Sequence, residues 1–171
     1  PAYNGLIPSP VDRSTLWENP PIPESNNQSG GMVRVKAASQ YNLKDQSRLP
    51  AVRSQSPWGT CWAHASLASI ESNAITRYQD SSINLSEFYL AYFVYGDTRA
   101  GKSFGKYDND DILDQGGNID QAIAFLSRAG TVNETTLPYP ASNTYTKPSG
   151  NPEDYASSGY FLKDAYTLGP S

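Results

Sequence analysis

The stretch Gln55-Ser-Pro-Trp-Gly-Thr-Cys61-Trp-Ala-His-Ala65 decides how the rest of the chain is read. Thr60 is a suitable N-cap, and Trp62, Ala65, Leu67, Ala68, Ile70 and Ile75 recur at helical spacing, which predicts a helix over 60–78 with Cys61 in its first turn. A thiol at that point meets the positive end of the helix dipole and the N–H groups of the first turn, and both favour thiolate. Gly59 lets the backbone pass close to whatever binds above the sulfur, and Gln55 carries an amide donor six residues upstream of the thiol. A donor beside a nucleophile, aimed where an oxyanion would form, is what acyl transfer requires.

Outward from this segment, a second helix is predicted from Ser86 to about Tyr95. Leu85 and Leu90 are placed as a hydrophobic staple, and Gly96 is expected to take a left-handed cap. Residues 97–114 read as a polar loop rich in Gly, Lys and Asp. A third helix is predicted from Ile119 to Ala129 on Ala122, Ile123, Phe125 and Leu126, ended by Gly130. Pro138, Pro140, Pro148 and Pro152 mark an irregular stretch, and Tyr160 to Leu168 reads as the start of a strand in need of a partner. Before residue 40, six prolines among Pro1, Pro8, Pro10, Pro20, Pro21 and Pro23 predict an extended arm. That arm is either docked through Leu6, Ile7, Leu16 and Trp17 or a flexible terminus.

Composition narrows the function. In 171 residues there are one Cys and one His, so neither an internal disulfide nor a zinc site of the usual Cys/His type can be assembled within the chain. The net charge of −4 argues against nucleic acid as a partner. The longest apolar run, 88–95, is far short of the about 20 residues that span a bilayer, so no membrane span is expected. Asp108, Asp110, Asp111 and Asp114 lack calcium-loop register, because Ile112 stands where an oxygen ligand is needed, and they read as a solvated acidic loop. No cofactor or metal is called for.

The residues around Cys61 resemble the papain-like cysteine peptidases. That family has a Gln six residues before the nucleophile, then Gly, a small residue, Cys, Trp and Ala; here these are Gln55, Gly59, Thr60, Cys61, Trp62 and Ala63. Ile70-Glu71, Leu85-Ser86-Glu87, the Gly116-Gly117 strip, Gly130 and Leu137-Pro138-Tyr139-Pro140 follow in the family's order. The resemblance implies an α+β, papain-like fold: a mainly helical left lobe with irregular loops, and the start of a β-rich right lobe. Residues 1–40 then form a proline-rich arm, as a propeptide remnant, 41–150 the left lobe, and 151–171 the lobe crossover or the start of the right lobe.

By the same resemblance Cys61 is the nucleophile. Gln55 and the Cys61 backbone N–H form the oxyanion hole, with Trp62 packed behind. Gly59, Gly116 and Gly117 line the substrate cleft, the strip pairing with an extended peptide, and Ile119 lies near the side-chain pocket that sets specificity. Two departures stand out. Trp58 and Asp114 occupy the positions of the family's disulfide partners, which implies a disulfide-free, bacterial-type branch. The family's catalytic His lies about 130–150 residues beyond the Cys, past Ser171; the chain's one His, His64, is a neighbour of Cys61 at i+3 on the same helix and is either its direct partner or, as the resemblance implies, a packing residue at an aromatic position.

The expectation is therefore a cysteine endopeptidase whose catalytic His and Asn come from a C-terminal lobe, supplied as a second chain or a missing segment. It acts on peptide or protein substrates and is secreted or at the cell surface. The alternative is a catalytically inactive peptide-binding or interaction module that keeps the left lobe. The Gln55/Cys61 pair favours the enzyme, and the absent His partner favours the binder.

Overall fold

The computed structural model describes residues 42–96, 112–155, 159–163 and 165. The proline-rich arm to residue 41, most of the polar loop (97–111, with Asp108, Asp110 and Asp111) and the end of the chain from 166 lie outside the described residues. A 3-10 turn at Lys44–Gln46 leads to an extended segment and then to α1 (Cys61–Tyr78), α2 (Glu87–Gly96), a second 3-10 turn (Ile112–Asp114), α3 (Ile119–Ala129) and the single turn α4 (Pro152–Tyr155).

Helix α2 is the hub. All nine residues from Glu87 to Tyr95 are buried, so no polar face interrupts its apolar pattern, as befits a helix enclosed on every side. Helix α3 is amphipathic in the ordinary way: Ala122, Phe125, Leu126 and Ala129 are buried at i, i+3, i+4 and i+7, and Ile123 falls off that stripe to half-buried. Asn118 caps it with a full capping box, its side chain accepting from the Gln121 N–H while Gln121 accepts from the Asn118 N–H. Helix α1 buries Trp62, Ala63, Ser66, Leu67, Glu71 and Ile75 against α2 and α3.

Two helix ends, at Thr60 and at Gly96, differ from the sequence reading, and a third was not read from the sequence. Thr60 stands at the N-cap of α1, yet its side chain makes no capping bond because its hydroxyl is engaged elsewhere. Gln79, not a glycine, takes the left-handed position that closes α1, at φ 55°. Gly96 is the last residue of α2 and is not left-handed. At the start of α2, by contrast, Ser86 Oγ accepts from the Tyr89 N–H at 3.0 Å, and Leu85 and Leu90 are both buried in one core.

Extended pairing among the described residues is confined to isolated antiparallel bridges, Leu85 with Asn133 and Thr131 with Tyr160. Of the strand expected over 160–168, Tyr160 forms a bridge and Phe161 is exposed, while residues 164 and 166–168 lie outside the described residues. Tyrosines do the work that a sheet would otherwise do for the irregular segments. The hydroxyls of Tyr89, Tyr95, Tyr139 and Tyr155 donate to the backbone carbonyls of Pro152, Gly116, Gln55 and Ser149 at 3.1, 3.0, 2.6 and 2.8 Å. Tyr145 and Tyr155 bring the 145–155 segment back over α2 by edge-on packing against Phe88 and Tyr89.

Candidate functional site

The site begins with a turn. The Trp58 N–H donates to the Gln55 carbonyl at 3.0 Å, and the Gln55 side chain folds back so that Nε2 donates to the Trp58 carbonyl at 3.0 Å. An amide nitrogen carries two protons, so this bond uses only one of them. The chain then passes Gly59 and enters α1 at Cys61, whose thiol is half-buried. Thr60, fully buried, sits between them.

The opposite wall is the Gly116-Gly117 strip. Gly116 has φ 74°, a conformation that favours glycine, and its carbonyl accepts from Tyr95 OH. Gly117 lies flat against the buried indole of Trp62: a Cβ there would stand 2.3 Å from Trp62 Cε2. Ile119 follows at the start of α3, 41% exposed, an apolar side chain left open to solvent beside the strip. A hydrogen bond from the Gly59 N–H to Asp114 Oδ1, at 2.8 Å, crosses from one wall to the other. Gln55, Gly59 and Cys61 thus stand on one segment and Gly116, Gly117 and Ile119 on the other, tied through Gly59–Asp114 and Trp62–Gly117. Asp114, expected in a solvated acidic loop, is exposed and in addition makes this crosslink.

His64 is held by the turn it follows. Its Nδ1 lies 3.1 Å from the Thr60 carbonyl, and its ring meets the edge of Tyr139 at 4.9 Å between centroids. Burial pushes the imidazole below its ordinary value, against the pull of the Thr60 and Ser54 backbone and beside the Arg53 charge, so it is neutral at neutral pH.

Below the turn lies a charge cluster of which the sequence reading saw only the carboxylates. Arg53 Nη2 is 2.7 Å from both Glu71 Oε2 and Glu87 Oε1, two side chains almost wholly buried. Glu71 Oε1 also accepts from the Leu85 N–H at 2.6 Å, and Arg53 Nη1 donates to Asn84 Oδ1. Burial opposes the Arg53 charge, but its bond to Glu71 and the nearness of Glu87 outweigh that and raise its pKa. Glu87 is shifted up by burial, partly offset by Arg53.

Glu134 adds a third carboxyl to the field of that single guanidinium. Its Oε1 accepts from the Tyr139 N–H at 2.7 Å, while its Oε2 is buried with no hydrogen-bond partner among the described residues. Burial and the neighbouring Glu87 push it up to about 7, against the Tyr139 N–H. Neither Arg53 nor Glu134 stands in a motif that the sequence singles out for chemistry. The only signal for Arg53 is a cation between the apolar run 49–52 and the turn that begins at Gln55.

Between the 43–53 segment and the outer face of α1 runs an open groove of about 560 Å³, bordered by Leu49, Pro50, Val52, His64, Ala65 and Ala68. Among the described residues no group of three or more potential ligands could hold a metal ion, and no helix is long and apolar enough to cross a membrane.

Comparison with known proteins gives a uniform result. The family model described as "Papain family cysteine protease" matches residues 37–167. A viral cathepsin of Epiphyas postvittana nucleopolyhedrovirus is 29% identical over 113 residues, covering 66% of this chain and 30% of the relative. A cysteine protease of Blomia tropicalis is 26% identical over 122 residues, 70% of this chain and 34% of the relative. Among solved structures, the clostridial cysteine protease Cwp84 after propeptide cleavage superposes with a TM-score of 0.54 at 22% identity, covering 70% of this chain and 27% of that one. The chain spans about a third of the length of the curated relatives it matches. Its fold is papain-like, in the mainly helical part.

Proposed function

This chain belongs to the papain family of cysteine proteases, and from that premise we propose that it carries the nucleophile half of a cysteine endopeptidase. Cys61 Sγ attacks a peptide carbonyl carbon, and the oxygen that gains charge is received by the Cys61 backbone N–H and the Gln55 Nε2 proton not given to Trp58. An imidazolium gives its proton to the leaving amine as the C–N bond breaks, leaving a thioester on Cys61. Water, losing a proton to the same imidazole, then releases the carboxylate product and the thiol. Gly116 and Gly117 offer backbone groups to an extended substrate, and Ile119 borders the side-chain pocket.

The imidazole comes from outside these 171 residues, on a C-terminal lobe. The chain's one His, His64, is neutral and bonded to Thr60. The proline-rich arm is read as a propeptide remnant, and the working compartment as secreted or cell surface.

The observation that carries this reading is the crosslinked pair of walls, with thiol and amide donor on one and a bare glycine backbone on the other. Titration of the full-length protein with an epoxide inhibitor selective for this class should alkylate Cys61 and abolish peptide hydrolysis. Cys61→Ser should be inactive, and Gln55→Ala slower by about 10²–10³-fold in kcat. Peptide binding without turnover, unchanged in Cys61→Ser, would instead identify a binding module.

A further inference from the structure

One phenol reaches both ends of the nucleophile turn. Tyr139 OH donates to the Gln55 carbonyl at 2.6 Å, and its oxygen stands 2.6 Å from Thr60 Oγ1. A phenol has a single proton, so with that proton on Gln55 the Thr60 hydroxyl donates to the phenol oxygen. This explains why Thr60 does not cap its own helix. Tyr139 is itself held on three sides: its backbone N–H by Glu134 Oε1, its ring edge by His64, and its phenol proton by burial, which raises its pKa to about 12 and keeps it neutral. The residues so joined, Gln55 and Thr60, are the one that carries the amide donor and the one that immediately precedes Cys61.

We propose that Tyr139 is a positioning residue for the thiol reaction: its hydroxyl fixes Gln55 and Thr60 at a set separation, and thereby fixes the amide donor relative to the sulfur. The inference rests on the peptidase reading of Cys61 and Gln55. Tyr139 touches neither substrate nor reacting atoms and acts through the turn alone. A misplacement of about 1 Å in such a site can cost about 10²-fold in rate.

Tyr139→Phe removes only the oxygen. In the full-length protein, kcat on a fluorogenic peptide should fall about 10- to 100-fold with KM within about twofold. In a Gln55→Ala background the same substitution should have little further effect, because the donor it positions is gone. Amide exchange at residues 58–61 should quicken in Tyr139→Phe while α2 stays protected. Thr60→Val breaks the same link from the other end and should reproduce the kcat loss, which covers a Phe variant that fails to fold. An unchanged kcat, or a loss undiminished in Gln55→Ala, would overturn the inference while leaving the peptidase reading intact. A wild-type protein without turnover would overturn that reading, and local exchange unaltered by Tyr139→Phe would then dispose of the positioning role as well.

Discussion

The Gly59 N–H donates to Asp114 Oδ1 across 2.8 Å, joining the turn before the thiol to the turn before the glycine strip, 55 residues away in sequence. By resemblance this is the neighbourhood where papain-like peptidases carry a disulfide, and here a charge-assisted hydrogen bond stands in that place. Asp114→Ala should lower stability by about 1–2 kcal/mol, read as a shift in the denaturant midpoint. Asp114→Asn keeps the accepting oxygen and should lose less than half of that. Equal losses would mean that charge, not the bond, matters at this position.

Gly117→Ala tests the packing of the strip. The new Cβ meets the buried Trp62 ring, which has no flexible end to swing away, at 2.3 Å from Cε2. Overpacking of this kind costs about 1–3 kcal/mol. The thermal midpoint should drop, and tryptophan fluorescence should shift as the indole is displaced. A variant as stable as the parent, with an unaltered spectrum, would contradict the close approach.

Arg53→Met leaves Glu71 and Glu87 buried without their cation. Breaking a buried ion pair from one side costs about 3–5 kcal/mol, and the partial exposure of Arg53, 22% on its side chain, puts the expectation near the lower figure. Arg53→Lys should recover part of it, since one ammonium can face both carboxylates but cannot also reach Asn84. Chemical denaturation of the three proteins measures the order directly.

The Glu134 carboxyl gives stability a pH dependence with a definite sign. Its pKa is about 7 in the folded chain against an ordinary 4.5, so the folded chain keeps a proton that the unfolded chain has released. Its contribution is complete at pH values below the ordinary carboxylate range, falls as pH rises from there, and levels off above about 7. His64, depressed by burial, works in the opposite direction on the acid side of its ordinary value. The comparison is therefore between the parent and Glu134→Gln, which retains an acceptor for the Tyr139 N–H. Gln does not titrate, so the stability of Glu134→Gln relative to the parent, read from melting curves, should rise between about pH 5 and about pH 7 and stay constant above that. A constant difference would place the Glu134 carboxyl in its ordinary range.

The helices were legible because their signals are local. For α3 the cap Asn118, the buried stripe at Ala122, Phe125, Leu126 and Ala129, and the stop at Gly130 all lie within thirteen residues of chain. The start of α1 was legible for the same reason, since Thr60 and Cys61 read locally as a helix start. What escaped the sequence depends on partners far along the chain. Thr60 gives up its capping role to a phenol 79 residues away. Asp114 reads as one more acid in a polar loop until Gly59 is beside it. Arg53 draws its meaning from Glu71 and Glu87 on two different helices, and Glu134 from a backbone N–H at Tyr139. The partner of the aromatic run at Tyr160 was not legible either, since Tyr160 bridges to Thr131 in the segment after α3.

The Gly59–Asp114 crosslink also bears on the conditions the chain tolerates. A thiol nucleophile works only while reduced, and a fold clamped by disulfides is weakened by the same reductant that keeps its nucleophile alive. Within these 171 residues the two demands are uncoupled, because the clamp is a carboxylate on a backbone N–H and the one sulfur of cysteine belongs to Cys61. With Cys61 in its proposed role, reductant can be raised to keep the thiol reduced without breaking the Gly59–Asp114 link.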